Sequence, residues 1–202
     1  MFLFSLIRAL AYPIVYLLYV IECHGKEKIP TDQNFILVCN HIHALDPVLI
    51  AVTSDFKFHT MAKAELFENA FLKQLLTDVG AFPVKRHSGD VRAFMKAKKY
   101  LENGEPVLVF PEGTRSKDGE LQELKPGAAA LCLSSKVPIL PVQIIAPKGV
   151  KPWRKIHIYY GDVIFPEEFA IDPNKKPAET LAEADKVILN SFLKIRKLCE
   201  EK

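Results

Sequence analysis

The residues best suited to chemistry in this chain are His41 and Asp46, five positions apart in Asn40-His41-Ile42-His43-Ala44-Leu45-Asp46-Pro47. On one continuous helix, residues with that spacing diverge by about 140° and do not meet. The pair makes sense only if His41 lies in a loop and Asp46 opens the following helix. Asp46-Pro47 reads as an N-cap followed by the first helical position, where proline costs no hydrogen bond. One carboxylate oxygen is then expected on a first-turn N–H and the other on the histidine. That fixes the imidazole's orientation and tautomer, which a general base requires.

Two further junctions end in polar or glycine-containing loops: Lys85-Arg86 after Gly80–Val84, and Glu112-Gly113-Thr114-Arg115 after Val107–Phe110. Loops at the carboxyl ends of strands gather at one rim of an open α/β sheet. If His41, Arg86 and Arg115 meet there, one base stands beside two guanidinium forks. Such forks suit a phosphate, which accepts two parallel charge-assisted bonds. Gly113 lets the backbone approach a ligand closely.

The elements that must position these groups follow from periodicity. Phe35–Cys39 and Pro106–Phe110 read as buried strands, Ala81–Val84 and Lys155–Val163 as further strands, and residues 58–61 as a short one. Helices are expected over 47–53, 64–79, 88–101, 126–135 and 177–199, the last from the stripe Leu181, Ala184, Ile188, Phe192, Ile195 and Cys199. Pro138 and Pro141 place the strand over 137–145 at an edge or a sheet end. This alternation predicts an α/β fold, a mixed and largely buried sheet flanked by helices. No internal repeat or low-complexity tract interrupts it.

Met1–Ile21 is almost wholly apolar, long enough as a helix to cross a bilayer, but Arg8 and Pro13 interrupt it. Ser5, Arg8, Tyr12, Tyr16 and Tyr19 fall on one stripe. This favours a segment that associates with the membrane without crossing it. The expected division is residues 1–24 as a membrane-associating segment and 25–202 as the catalytic domain. Glu22-Cys23-His24 offers no signal-peptidase site.

The 202 residues are 49% hydrophobic and 25% charged, with a net charge of +3. That composition describes a folded protein, and its charge is too small to argue for nucleic acid. Cys23, Cys39, Cys132 and Cys199 are far apart without metal-binding spacing, as expected of reduced thiols. P-loop, dinucleotide, zinc and G-x-S-x-G signatures are all missing from the sequence.

Four ordered blocks carry a family resemblance. Asn40-His41 with Asp46 resembles an N-H-x-x-x-x-D block, and Gly80–Arg86 a second block ending in arginine. Phe110-Pro111-Glu112-Gly113-Thr114-Arg115-Ser116 resembles an F-P-E-G-T-R-S block, and Val137–Val142 a proline-containing fourth. Lys63–Phe67 matches another common stretch. The chain thus resembles the glycerolipid acyltransferases that make phosphatidic acid from 1-acylglycerol-3-phosphate. Where the second block usually has an acidic residue before the arginine, this chain has Lys85, and His43 replaces a common small hydroxyl residue.

The resemblance implies His41 and Asp46 as the catalytic pair and Arg86, Glu112, Gly113, Thr114 and Arg115 as substrate-binding residues. It implies lysophosphatidic acid as acceptor and acyl-CoA or acyl carrier protein as co-substrate, with no metal or other cofactor. The expected setting is the cytoplasmic face of a membrane surface. Backbone N–H groups near Gly113 are the expected donors to the oxyanion. The competing readings are acylation of another acceptor, such as glycerol-3-phosphate or a different lysophospholipid, and a catalytically silent lysolipid-binding protein.

Overall fold

The computed structural model describes residues 2–85, 89–169 and 174–200. Its strands are β1 (Val20–His24), β2 (Ile36–Cys39), β3 (His59–Lys63), β4 (Ala81–Val84), β5 (Val107–Val109), β6 (Ile139–Ile145) and β7 (Lys155–Tyr160). Its α-helices are α1 (Phe2–Leu18), α2 (Asp46–Thr53), α3 (Ala70–Asp78), α4 (Val91–Glu102), α5 (Gly127–Ser135) and α6 (Pro177–Glu200).

The strands form one seven-stranded sheet in the order β1-β7-β6-β2-β5-β3-β4. All neighbours run parallel except β6 and β7, so the sheet is mixed, as expected. Successive side chains of a strand point to opposite faces. Ile36, Val38, Val107, Val109 and Ile139 therefore join one core with residues of α4, α5 and α6. Leu37, Cys39, Leu108, Leu140 and Val142 join the other, with residues of α1 and α2. Burial on both faces explains why β2 and β5 read as unbroken apolar runs. In α6 the predicted stripe docks through Ala184, Ile188, Phe192 and Ile195, all buried.

Four local expectations are corrected. The apolar run at the start is not a single helix. It ends at Leu18, and Val20–His24 becomes an edge strand parallel to β7. β-branched Val20 and Ile21 pair as readily in a sheet as they continue a helix, so apolarity alone did not mark the switch. Among the described residues no helix is long and apolar enough to cross a membrane. The stripe expected along α1 also divides. Arg8 is half-buried and pairs with Asp55 at 3.5 Å, Tyr19 is buried, and Tyr12 and Tyr16 face solvent.

The helix expected over 64–79 is broken. A short 3₁₀ turn, Ala64–Phe67, precedes α3, and the Asn69 side chain accepts the Leu72 N–H at 3.0 Å as the N-cap. An amide oxygen competing for a first-turn donor restarts the helix there. Finally, β6 lies inside the sheet and not at its edge, despite Pro141. Ile139 exchanges backbone bonds with Ile164, and the Pro141 carbonyl accepts from Gly161 at 2.8 Å. The side of Pro141 without an N–H thus faces Gly161, in the loop after β7, so the bonds between the paired residues Val142–Ile145 and His157–Tyr160 are kept.

Candidate active site

The carboxyl end of β2 delivers Asn40 and His41 to the rim, and two sequence-distant partners hold them. Asn40 completes the ladder that β2 can no longer make. Its amide donates to the Ile144 carbonyl at 2.9 Å, and its oxygen accepts the Ile144 N–H at 2.8 Å. The His41 carbonyl accepts the Ser116 N–H at 2.7 Å, tying this loop to the one after β5. The imidazole stacks on Phe110, with centroids 4.2 Å apart and planes 24° from parallel.

His41 Nδ1 lies 2.7 Å from Asp46 Oδ2, inside the protein, with the Asp46 carboxylate fully buried. The same oxygen accepts the backbone N–H groups of Ile42 and His43, each at 2.8 Å. This differs from the expected division of labour. Asp46 turns back into the loop, gathers three donors on Oδ2, and leaves Oδ1 without a partner among the described residues and the first helical turn uncapped by its side chain. The amides of a tight loop point inward and lie nearer than those of the helix, so they win the oxygen. His43 Nδ1 accepts the Leu45 N–H at 3.2 Å, which makes that ring part of the loop's own bracing.

His41 opens on a cavity of about 1040 Å³ that also takes in Gly113, Arg115 and Lys125. The remaining wall is mainly apolar and includes Phe4, Val52, Phe58, Leu76, Val79 and Leu131. With Nδ1 committed to Asp46, Nε2 is the ring nitrogen available to a bound molecule. Gly113 has φ 71°, and a Cβ there would stand 2.7 Å from Lys125 Nζ. That left-handed φ favours glycine, and the absence of a side chain leaves the lysine's ammonium group its place. The Gly113 N–H donates to the Phe110 carbonyl at 3.1 Å, so this one amide of the segment is taken up by the turn.

The other predicted residues are spread around this centre. Arg115 is exposed on the cavity wall, and its carbonyl accepts from Gln122 Nε2 at 3.4 Å. The Thr114 hydroxyl donates to Gln122 Oε1 at 3.1 Å, and Thr114 does not line the cavity. Arg86 lies outside the described residues. Glu112 is 3% exposed, beneath the loop, and among the described residues neither carboxylate oxygen makes a hydrogen bond of good geometry. Burial pushes its carboxyl up to about 7; the His41 backbone amide facing it and the Arg196 charge only partly offset this.

Lys125, which sequence reasoning passed over, sits between the third block and α5. Its backbone N–H bonds the Pro111 carbonyl at 2.9 Å. A lysine directly before Pro126-Gly127 at a helix start is the only local signal that it faces a site. Burial pushes the Cys39 thiol well above its ordinary range and that of Cys132 up to about 12, so neither offers a thiolate nucleophile.

A family model described as Acyltransferase matches residues 20–145, which include this whole constellation. The chain belongs to the acyltransferase family. It is 30% identical over 168 residues to a 1-acyl-sn-glycerol-3-phosphate acyltransferase of Bacillus subtilis, covering 81% of this chain and 83% of that one. It is 33% identical to the enzyme of that name from Streptococcus pneumoniae, covering 70% of this chain and 54% of the relative. The crystal structure of the 1-acyl-sn-glycerophosphate acyltransferase PlsC from Thermotoga maritima superposes with a TM-score of 0.67 at 27% identity, over 93% of this chain and 76% of that one. These likenesses make the chain an acyltransferase of the same α/β architecture.

Proposed function

We propose that this acyltransferase moves a fatty acyl group from an acyl thioester to the sn-2 hydroxyl of 1-acylglycerol-3-phosphate, giving phosphatidic acid. The observation that carries the reading is the buried His41–Asp46 pair opening on a cavity that joins cations to a long apolar wall. A lysophosphatidate has both halves of that description, a phosphate and an acyl chain. The named activities of the relatives support the same choice.

In this mechanism His41 Nε2 takes the proton of the acceptor hydroxyl as its oxygen attacks the thioester carbonyl. Asp46 holds Nδ1–H and balances the charge that forms on the ring. The tetrahedral intermediate collapses, the carbon–sulfur bond breaks, and the imidazolium returns its proton to the departing thiolate. A free thiol has an ordinary pKa of about 8.5, so departure needs little help. No acyl-enzyme forms.

Arg115 and Lys125 bind the acceptor phosphate from the cavity wall, with Arg86 assigned the same task from its sequence block. Gln122 holds the Thr114–Arg115 segment in place, Gly113 leaves room for Lys125, and Glu112 supports the loop from below. Residues 1–24 bring the active site to the cytoplasmic surface of the membrane, with the exposed apolar side chains of α1 as the contact.

The acceptor is tested by supplying one labelled acyl thioester with lysophosphatidate, glycerol-3-phosphate or a lysophospholipid bearing a larger head group. Product from lysophosphatidate at least tenfold above the others is the expected result. Preference for another acceptor would reassign the cationic wall, and product from none would leave a lipid-binding protein.

A further inference from the structure

At the far edge of the sheet, three side chains converge that take no part in the cavity. Glu22 and His24 are two apart on β1 and therefore share a face. His157 stands opposite Glu22 in the parallel register of β1 and β7. His24 Nε2 lies 3.4 Å from His157 Nδ1, and His157 Nδ1 lies 3.3 Å from Glu22 Oε2. All three donor atoms fall within 4.8 Å of one another.

These separations have a specific meaning. Zinc binds imidazole nitrogen and carboxylate oxygen at about 2.0–2.2 Å in tetrahedral geometry, which sets neighbouring donors roughly 3.3–3.5 Å apart. Two edges of the cluster already have that length. The remaining edge, between Glu22 and His24, is no longer than 4.8 Å.

The surroundings resemble those of a supported ligand set. Lys155 Nζ holds the other Glu22 oxygen at 2.7 Å, and Oε2 stays directed at His157. The His24 ring stacks on Tyr159, with centroids 4.3 Å apart and planes 16° from parallel. A ligand carboxylate fixed through its second oxygen and an imidazole fixed by packing lower the ordering cost of binding.

We propose that Glu22, His24 and His157 form a binding site for a zinc-class divalent transition metal, with water in the fourth position. Two imidazoles and one carboxylate suit zinc, nickel or copper and disfavour magnesium and calcium, which take oxygen ligands. The site joins the edge strand β1 to β7, its neighbour in the sheet among the described residues. Since α1 leads directly into β1 and supplies Phe4 to the cavity wall, the metal clamps the edge from which that wall extends.

The test uses the full chain freed of metal by chelation. Zinc chloride is titrated by calorimetry and by thermal melting, and cobalt(II) is followed by its visible absorption. One metal per chain, tetrahedral-type cobalt bands and a rise of roughly 5–10 °C in Tm at a hundredfold excess over Kd are expected. The double variant His24→Ala/His157→Ala is expected to lose at least 100-fold in affinity, and Glu22→Gln at least tenfold. The variant His41→Ala is expected to bind as the wild type does, which separates this site from the imidazoles of the cavity. Absence of binding by the wild type at 100 µM zinc, on the order of a very weak site, would overturn the proposal. So would unchanged affinity in Glu22→Gln, which leaves both imidazoles and the fold undisturbed.

Discussion

Three donors converge on Oδ2 of Asp46, and one of them is the ring proposed to act as base. Asp46→Asn removes the charge while keeping the volume. It is expected to lower kcat by about 10²–10⁴ with little change in KM, as steady-state kinetics will show. The melting temperature should fall as well, since the Ile42 and His43 amides share that oxygen. Glu112 makes a separate, pH-dependent contribution. Its carboxyl ionises near 7 in the folded chain and near the ordinary glutamate value when unfolded. Between those values the folded state holds the extra proton, so rising pH withdraws stability until the folded group has also ionised; the shift amounts to about 3 kcal/mol. Glu112→Gln carries no such group. Its Tm relative to wild type is expected to climb from pH 4.5 to 7 and level off above, in melts across that range; a constant difference would contradict the assignment. Both acids were legible in the sequence as members of motifs. Their surroundings were not, because the choice of Oδ2 over a helical cap and the burial of Glu112 depend on how two distant loops close.

At the scale of elements, the site rests on β2 giving way to a loop at the point where β6 continues. Asn40 imitates a strand residue there by bonding both backbone groups of Ile144. Asn40→Ala strands those two buried groups, at about 1–3 kcal/mol each, and frees the loop that carries His41. Denaturant unfolding should report a loss of about 2–6 kcal/mol, and kcat should fall more than stability alone explains. The sequence marked the strand, the loop and the helix start because all three are local signals. It misjudged residues 64–79, where the apolar spacing survives but the side chains do not face a core: α3 buries none of its residues, and Phe71 is 75% exposed. Periodicity reports a shared face, not what covers it. Lys125 escaped notice for a related reason, since only the fold brings it against Gly113.

Seen whole, the molecule leaves large apolar side chains exposed on both α1 and α3, among them Leu10, Ile14, Leu17 and Phe71. Both helices also contribute to the cavity, through Ile7 and Ala11 on one and Leu76 on the other. The membrane contact proposed above would bring a water-insoluble acceptor to the site past these side chains. Because α1 also packs Phe4 and Val15 into the protein, deleting it would damage the fold, and point changes are the sounder test. Leu10→Lys with Leu17→Lys is expected to weaken liposome co-sedimentation at least tenfold, since each leucine contributes about 1.5–3 kcal/mol when buried, while the Tm holds. Undiminished sedimentation would remove α1 from the membrane contact.

The central claim is acyl transfer from a thioester to lysophosphatidate with His41 as the base. It is tested most directly by mass spectrometry of the lipid product made in micelles, wild type beside His41→Ala. Phosphatidic acid carrying the donor's acyl group at sn-2 is the predicted product, with its rate of formation reduced at least 100-fold in the variant at an unchanged Tm. Phosphatidic acid formed at comparable rates by both proteins, or by neither, would contradict the account.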